Sequence, residues 1–81
     1  MSKLQIRVGD IYHLKNLNKI RLVTKVHNNK VYYRAYSYDA VRNCFEYQYE
    51  NDLPIDDFLY LFKEYKVPRL RAEILKSQLG G

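Results

Sequence analysis

Three side chains in this sequence have the chemistry of metal ligands or nucleophiles: His13, His27 and Cys44. They are 14 and 17 residues apart and form no CxxC or HxxxH pattern, so the sequence favours ordinary strand residues over a zinc site. A cysteine beside a histidine can act as a nucleophile with a general base. A lone cysteine at the start of a strand is weak evidence for that chemistry, and we expect it to be inert.

Two adjacent carboxylates, Asp56 and Asp57, could suggest paired acid–base catalysis. Neighbouring positions on a helix do not face each other, and acids in a first helical turn are explained by the positive end of the helix dipole. The sequence also contains no glycine-rich phosphate loop. We therefore predict a protein that is not an enzyme, with no catalytic residue, no metal and no cofactor.

Basic and aromatic residues alternate along two predicted strands, and this pattern is the most informative one for function. Single-stranded nucleic acid needs charges for its phosphates and flat rings for its bases, and both occur on one predicted sheet face. Basic residues of a predicted C-terminal helix could add to them. The predicted nucleic-acid-binding residues are Arg21, Lys25, Tyr32, Arg34, Tyr36, Arg69, Arg71 and Lys76.

A protein partner is the alternative interpretation of the same face. Tyr and Arg are enriched at protein interfaces, and the predicted face also carries Glu46 and Glu50, which could pair with Arg34 and oppose a polyanion. The chain is rich in Lys, Asn, Ile and Tyr and has three Ala, as in products of AT-rich genomes, including many phages. The alternative is therefore a protein–protein interaction module, such as a small phage protein that binds and modulates a host protein.

The elements that must position these residues begin with a hairpin over residues 20–38. Side chains alternate with period two in residues 20–27, and residues 31–38 are rich in strand formers. Asn28-Asn29 between them suits a two-residue turn because Asn tolerates positive φ. A turn there sets Lys25 opposite Tyr32 and Arg21 opposite Tyr36. The predicted buried face consists of Leu22, Val26, Val31, Tyr33 and Ala35.

Another strand and its hairpin follow. Phe45, Tyr47 and Tyr49 share one predicted face, and five residues from Asp39 to Asn43 can close the loop if Tyr38 pairs with Cys44. A short strand over residues 10–14 precedes the first hairpin, and residues 63–67 predict a last short strand.

Two helices complete the prediction. The first begins near Pro54, with Ile55, Phe58, Leu59 and Phe62 at helical spacing. The second spans Arg69 to Gln78, with Leu70, Ile74 and Leu75 on one side, and Gly80-Gly81 as its stop. It either docks on the barrel, with these three residues mostly buried, or projects, with the same residues as an exposed apolar stripe that marks a partner or dimer site. We favour docking, because an isolated helix of this length is marginal in water.

Three segments together resemble SH3-like small barrels found in uncharacterised bacterial and phage proteins: residues 8–12, the hairpin through Asn28-Asn29, and residues 53–58 before Phe62. The resemblance covers about residues 6–66 and implies a mainly β fold with minor α, a small antiparallel barrel of four to five strands that serves as a binding module. It transfers no functional residue. We expect residues 1–66 to form the barrel and residues 67–81 a C-terminal helical extension of the same domain.

Length and charge set the remaining bounds. The 81 residues leave room for one domain, and 14 Lys and Arg against 9 Asp and Glu give a net charge of +5. Residues 1–38 carry +7, residues 39–62 carry −5 and residues 63–81 carry +3, so a polyanion is steered toward the first and last thirds. The longest apolar run has five residues, and the start of the chain has no signal-peptide core. We expect a small basic cytoplasmic protein without a membrane partner.

Overall fold

A computed structural model describes residues 6–15, 18–62 and 65–80 of the chain. Four strands come first and two helices follow, as predicted by the change in the spacing of apolar residues from period two to helical spacing. They are β1 (Ile11–His13), β2 (Lys19–His27), β3 (Lys30–Asp39), β4 (Cys44–Pro54), α1 (Ile55–Phe62), α2 (Arg69–Lys76) and β5 (Leu79–Gly80).

The strands form one sheet in the order β1-β2-β3-β4-β5. The first four are antiparallel to their neighbours, whereas β5 runs parallel to β4 after the two helices. The predicted mainly β class with minor helix is confirmed. Among the residues that the structure describes, no pairing joins β1 to β5, and the SH3-like resemblance stays a prediction.

The turn between β2 and β3 lies where the sequence predicts it. Asn28 and Asn29 have φ values of 51° and 60°, the left-handed region that Asn tolerates better than most residues. The carbonyl of Asn29 also accepts the backbone N–H of Ile55 at 2.8 Å, so the turn is bonded to the start of α1. The adjacent pairs, His27 with Lys30 and Val26 with Val31, match the prediction.

A β-bulge at Thr24 changes the register of the rest of β2. Lys25 lies opposite Tyr32 as predicted, but the next pair is Val23 with Tyr33, which leaves Thr24 as the extra residue. Its hydroxyl donates to the carbonyl of Tyr32 at 3.2 Å. Because side chains alternate along a strand, one extra residue exchanges the two faces of everything before it.

The predicted buried face of β2 is therefore wrong. Val23 is 1% exposed and Leu22 is half-buried on the other face, whereas Val26 keeps its predicted partner Val31 but is 37% exposed. The predicted pairs of Leu22 with Ala35 and of Arg21 with Tyr36 are also wrong, since Leu22 lies opposite Arg34 and Arg21 opposite Ala35. On β3, which is regular, the predicted burial is confirmed for Val31, Tyr33 and Ala35.

The hairpin between β3 and β4 is one residue shorter than predicted. Asp39 pairs with Cys44 and Tyr38 with Phe45, because Asp39 accepts the backbone N–H of Val41 at 2.9 Å and Asn43 takes a φ of 61°. The predicted pair of Tyr38 with Cys44 is wrong.

A second bulge follows on β4, where Gln48 is the extra residue. Tyr47 lies opposite Tyr36, and Tyr49 lies opposite Ala35. The two tyrosines therefore point to opposite faces of the sheet, although the sequence predicts that they share one.

α1 covers one face of the sheet. Phe58 and Phe62 pack there with Tyr12 and Val23, and Tyr33 and Val31 complete the cluster. The Tyr12 and Phe58 rings meet edge-on, with centroids 5.0 Å apart. Placement of the predicted helix after Pro54, with its apolar side inward, is confirmed.

α2 covers the opposite face. Its Ala72 is buried against Ile11, Ile20, Tyr36 and Phe45, and Leu75 and Leu79 pack at the margin. The helix therefore docks on the sheet, but the burial of Leu70 and Ile74 that was expected with docking is wrong. Its predicted apolar side is only partly inward, because Leu70 is 83% and Ile74 is 61% exposed.

The C-terminal segment departs from the prediction in its last residues. The helix ends at Lys76 rather than Gln78, and Leu79 pairs with Phe45 as part of β5. The predicted strand over residues 63–67 appears as a bridge between Tyr12 and Lys66, and residues 63–64 lie outside the described part of the chain. Over the described ranges, neither helix has the length and apolar content needed to cross a bilayer.

The bulge at Thr24 makes a prediction for a matched pair of substitutions. Val23→Ala should lower the free energy of unfolding by about 2 kcal/mol, because it removes two buried methyl groups and leaves a cavity. Val26→Ala removes the same atoms from a partly exposed site and should cost less than about 1 kcal/mol. Urea denaturation measures both, and equal costs would contradict the bulged register.

Buried tyrosines make the fold sensitive to alkaline pH. Burial raises the pKa of Tyr12 from 10.0 to about 12, with the charge of Asp10 adding to the rise. Between these values the unfolded chain loses the Tyr12 proton while the folded chain keeps it, so stability falls by about 2–3 kcal/mol as pH rises. Tyr12→Phe should make this decline shallower in denaturation curves from pH 9 to about 12.

The pKa of Tyr33 is also raised, by burial first and by Tyr49 second, so part of the decline should remain in Tyr12→Phe. Tyr60→Phe is the control, because it changes an exposed ring of α1 and should leave the decline unchanged. An identical decline in Tyr12→Phe and the wild type would contradict the assignment to Tyr12.

Candidate nucleic-acid interface

The open patch consists of Lys25, Tyr32, Arg34 and Tyr47, on the part of the sheet that α2 leaves uncovered. Tyr32 and Arg34 alternate with Tyr36 along β3 and therefore lie on the face that α2 packs against. Lys25 of β2 lies opposite Tyr32 and Tyr47 of β4 lies opposite Tyr36, so both reach the same face from either side of β3. The patch thus spans three neighbouring strands.

Cations and rings are in contact within the open patch. The Lys25 Nζ lies 5.4 Å from the centroid of the Tyr32 ring, and the Arg34 Cζ lies 5.9 Å from that of Tyr47. Both distances fall within the range of cation–π attraction. The two contacts order long side chains on an exposed surface, so less side-chain entropy is lost when a ligand binds.

Acidic residues lie beside the patch and reduce its positive charge. Arg34 Nε donates to Glu50 Oε2 at 2.8 Å, and this hydrogen bond is the largest cause of a raised pKa of Arg34. Lys30 Nζ lies 3.6 Å from Asp52 Oδ2. Both pairs are exposed, and exposed ion pairs stabilise a fold by little. A phosphate can therefore replace Glu50 as the partner of Arg34 at small cost.

Arg21 lies on the opposite face, against the prediction. The bulge at Thr24 turns it toward the α1 side of the sheet, where the residue is 9% exposed. Its Cζ lies 5.8 Å from the Tyr33 ring centroid and 5.5 Å from that of Tyr49. Nη1 donates to the Ile20 carbonyl and Nη2 to the Tyr49 hydroxyl, both at 3.1 Å. Arg21 therefore has a structural position and is not part of the open patch.

Tyr36 is also not available for base stacking. It lies on the expected face, but α2 covers it, and its ring packs edge-on against Tyr47 with centroids 6.0 Å apart. Tyr47 takes its place as an exposed ring. The sequence pattern placed Tyr47 on a buried face with Phe45 and Tyr49, and no local signal marked the bulge that separates them.

The basic residues of α2 lie on the same side of the sheet as the open patch. Arg69 and Arg71 are exposed, and in the part of the chain that the structure describes they form no ion pair. Lys76 Nζ contacts Glu73 Oε2 at 3.2 Å. Seven of the eight predicted residues are therefore on one side, although Tyr36 is buried there beneath α2.

A cleft of about 580 Å³ lies between the start of α2 and the turn before β1. Lys66 Nζ lies 3.4 Å from Asp10 Oδ2 in its wall. Four basic side chains and two acidic ones give it a net positive charge. The charged lining residues are Arg7, Asp10, Lys66, Arg69, Glu73 and Lys76.

The residues with metal-ligand or nucleophile chemistry are not brought into a cluster. Over residues 6–15, 18–62 and 65–80, no group of three or more His, Cys, Asp or Glu side chains could hold a metal ion. His13 Nδ1 lies 3.0 Å from the Leu14 carbonyl, and Cys44 is a half-buried free thiol. These contacts agree with ordinary strand positions.

The chain matches no protein-family model, no curated protein and no solved structure. The contacts of the open patch and the charge of α2 are therefore the basis for a functional conclusion.

Proposed function

We propose that this protein is a non-enzymatic module that binds single-stranded nucleic acid through the open patch. The observation that supports this most is the presence of an exposed ring, a half-buried ring and two cations on the uncovered part of one sheet face, with the basic helix α2 on the same side. Stacking rings and phosphate-binding cations are the two components that such ligands require.

Within the patch, each residue type has a separate role. Tyr32 and Tyr47 lie on adjacent strands and offer ring surfaces to bases. Lys25 and Arg34 stand beside the rings and bind the phosphates that connect those bases. Every base has a ring face, so little sequence preference is expected.

α2 contributes at longer range. Arg69 and Arg71 raise the positive potential on the ligand's side of the sheet, which increases the rate of encounter with a polyanion at low salt. The acidic helix α1 lies on the other face, with Asp56 and Asp57 exposed, and repels the same ligand there. The resulting asymmetry directs a strand toward the open patch.

A protein partner is the second candidate, and one observation favours it. Leu70 and Ile74 are exposed on one side of α2, four residues apart, as in helices that present an apolar side to another protein. This surface does not include the open patch, so the two candidates can be tested by different substitutions.

Two substitutions separate phosphate binding from base stacking. Lys25→Ala should make the log–log salt dependence of affinity shallower by about 0.7, the value for one phosphate of a single strand. Tyr32→Ala should weaken binding by about 1–3 kcal/mol with the salt dependence unchanged, because stacking carries no net charge. Fluorescence anisotropy with a labelled single-stranded oligonucleotide measures both.

The controls for these substitutions lie on the α1 side of the sheet. Lys19→Ala removes a positive charge from that side and is the control for Lys25→Ala. Tyr60→Ala removes a ring from that side and is the control for Tyr32→Ala. Neither control should change the affinity for the oligonucleotide as its counterpart does. Absence of binding by the wild type at about 100 μM and low salt, where non-specific contacts are already detectable, would contradict the proposal.

Removal of the charge of Glu50 should raise the affinity for the oligonucleotide. Glu50→Gln removes the negative charge beside Arg34 and keeps the side-chain shape, so affinity at low salt should rise by about 3- to 10-fold. The salt dependence should become steeper by up to about 0.7, since Arg34 is released for a phosphate. Asp57→Asn removes a charge from α1 and should change affinity less than about twofold. Unchanged affinity in Glu50→Gln would place the ligand elsewhere.

A further inference from the structure

The outer side of α1 is both apolar and acidic. Tyr60 is 85% and Leu61 is 50% exposed, although Phe58 on the inner side is fully buried. Residues four positions apart share a helix side, so Asp56 lies next to Tyr60 and Asp57 next to Leu61. The helix therefore presents two large apolar side chains beside two carboxylates.

The outer side of α2 is also apolar, but its charged residues are basic. Leu70 and Ile74 are four residues apart and exposed, and Arg69 and Arg71 flank Leu70. Glu73 is paired with Lys76 and does not neutralise these arginines. This helix therefore presents two large apolar side chains beside two guanidinium groups.

These two outer sides cannot meet within one molecule, because α1 and α2 cover opposite faces of the same sheet. We propose that the occupant of each is a second copy of this chain, in which the outer side of α1 on one molecule binds the outer side of α2 on the next. Tyr60 and Leu61 then pack against Leu70 and Ile74, with carboxylates facing guanidiniums.

Charge excludes the symmetric arrangements. A contact of α1 with α1 would place Asp56 and Asp57 against the same two carboxylates, and a contact of α2 with α2 would oppose the arginines. Like charges across an interface disfavour association. The complementary contact is head-to-tail, so it leaves an unoccupied α1 and an unoccupied α2 on every dimer, and growth continues unless a ring closes.

The contact is small, since each side is one face of an eight-residue helix. Interfaces of this size are weak and transient, and we expect a dissociation constant on the order of 100 μM. Sedimentation velocity should give a mass that rises continuously between about 10 μM and 1 mM wild-type protein. Added NaCl should reduce the association, because the facing charges are exposed to solvent.

Two double variants each remove one side of the contact without changing charge. Tyr60→Gln with Leu61→Gln alters α1, and Leu70→Gln with Ile74→Gln alters α2. Gln is a good helix former, and all four positions are exposed, so both proteins should fold with wild-type circular dichroism. Each should weaken self-association by at least about 10-fold, because the apolar contact is lost.

A mixture of the two double variants gives the decisive result. The intact α1 of one variant and the intact α2 of the other can still bind, but the altered sides cannot continue the chain. The mixture should therefore form a 1:1 dimer with no larger species, although neither variant associates alone. A mixture that stays monomeric under conditions where the wild type associates would overturn the head-to-tail contact.

A charge reversal separates interface effects from helix stability. Arg69→Glu with Arg71→Glu places acids in the first turn of α2, which the helix dipole favours, but opposes Asp56 and Asp57 of the next molecule. This variant should melt no earlier than the wild type and remain monomeric. Self-association that survives this change would show that the contact lies elsewhere.

Val41→Gln is the matched control, because it replaces an exposed apolar side chain in the loop between β3 and β4. It should self-associate as the wild type does. A wild type that is monomeric up to about 1 mM would overturn the proposal. The two glutamine double variants and Val41→Gln change neither the open patch nor the arginines of α2, so with them oligonucleotide binding can succeed or fail independently of self-association.

Discussion

The extra residue at Thr24 is the constraint on which the two-sided packing depends. β2 must supply apolar side chains to both faces of the sheet, with Ile20 on the α2 side and Val23 on the α1 side. The bulge sets these positions relative to a hairpin whose turn is fixed at Asn28-Asn29. Without it, Ile20 and Val23 would each turn to the other face of the sheet, and both helices would lose part of their packing surface.

The same bulge determines where positive charge appears on the surface. Arg21 is taken into the α1 side, where two tyrosine rings and two hydrogen bonds hold the guanidinium. Its Nε is buried and has no hydrogen-bond partner among the described residues, so the arrangement carries an energetic cost. Lys25, on the other side of the bulge, stays exposed beside Tyr32. One inserted residue therefore separates a structural cation from a surface cation.

Local chemistry made part of this structure predictable. Asn28-Asn29 fixed the first turn, and the acids and apolar spacing after Pro54 defined α1, because each signal is contained within a few residues. The bulges at Thr24 and Gln48 were not predictable, since they serve packing against helices distant in sequence. Seven of the eight predicted site residues still share one side. Arg21 lies on the other face and Tyr36 is buried on the predicted one, because tertiary packing decided both environments.

The acidic residues in the middle of the chain also affect the exposed edge of the sheet. β5 covers β4 at Phe45 and Glu46, and among the described residues the rest of β4 has no second partner strand. An unprotected sheet edge can pair with strands of other chains and so lead to aggregation. The bulge at Gln48 makes this edge of β4 irregular, and the charges of Glu50 and Asp52 add electrostatic repulsion. Both features oppose the pairing of further strands with β4. The acids that weaken attraction for a polyanion therefore also help to keep this small domain from aggregating.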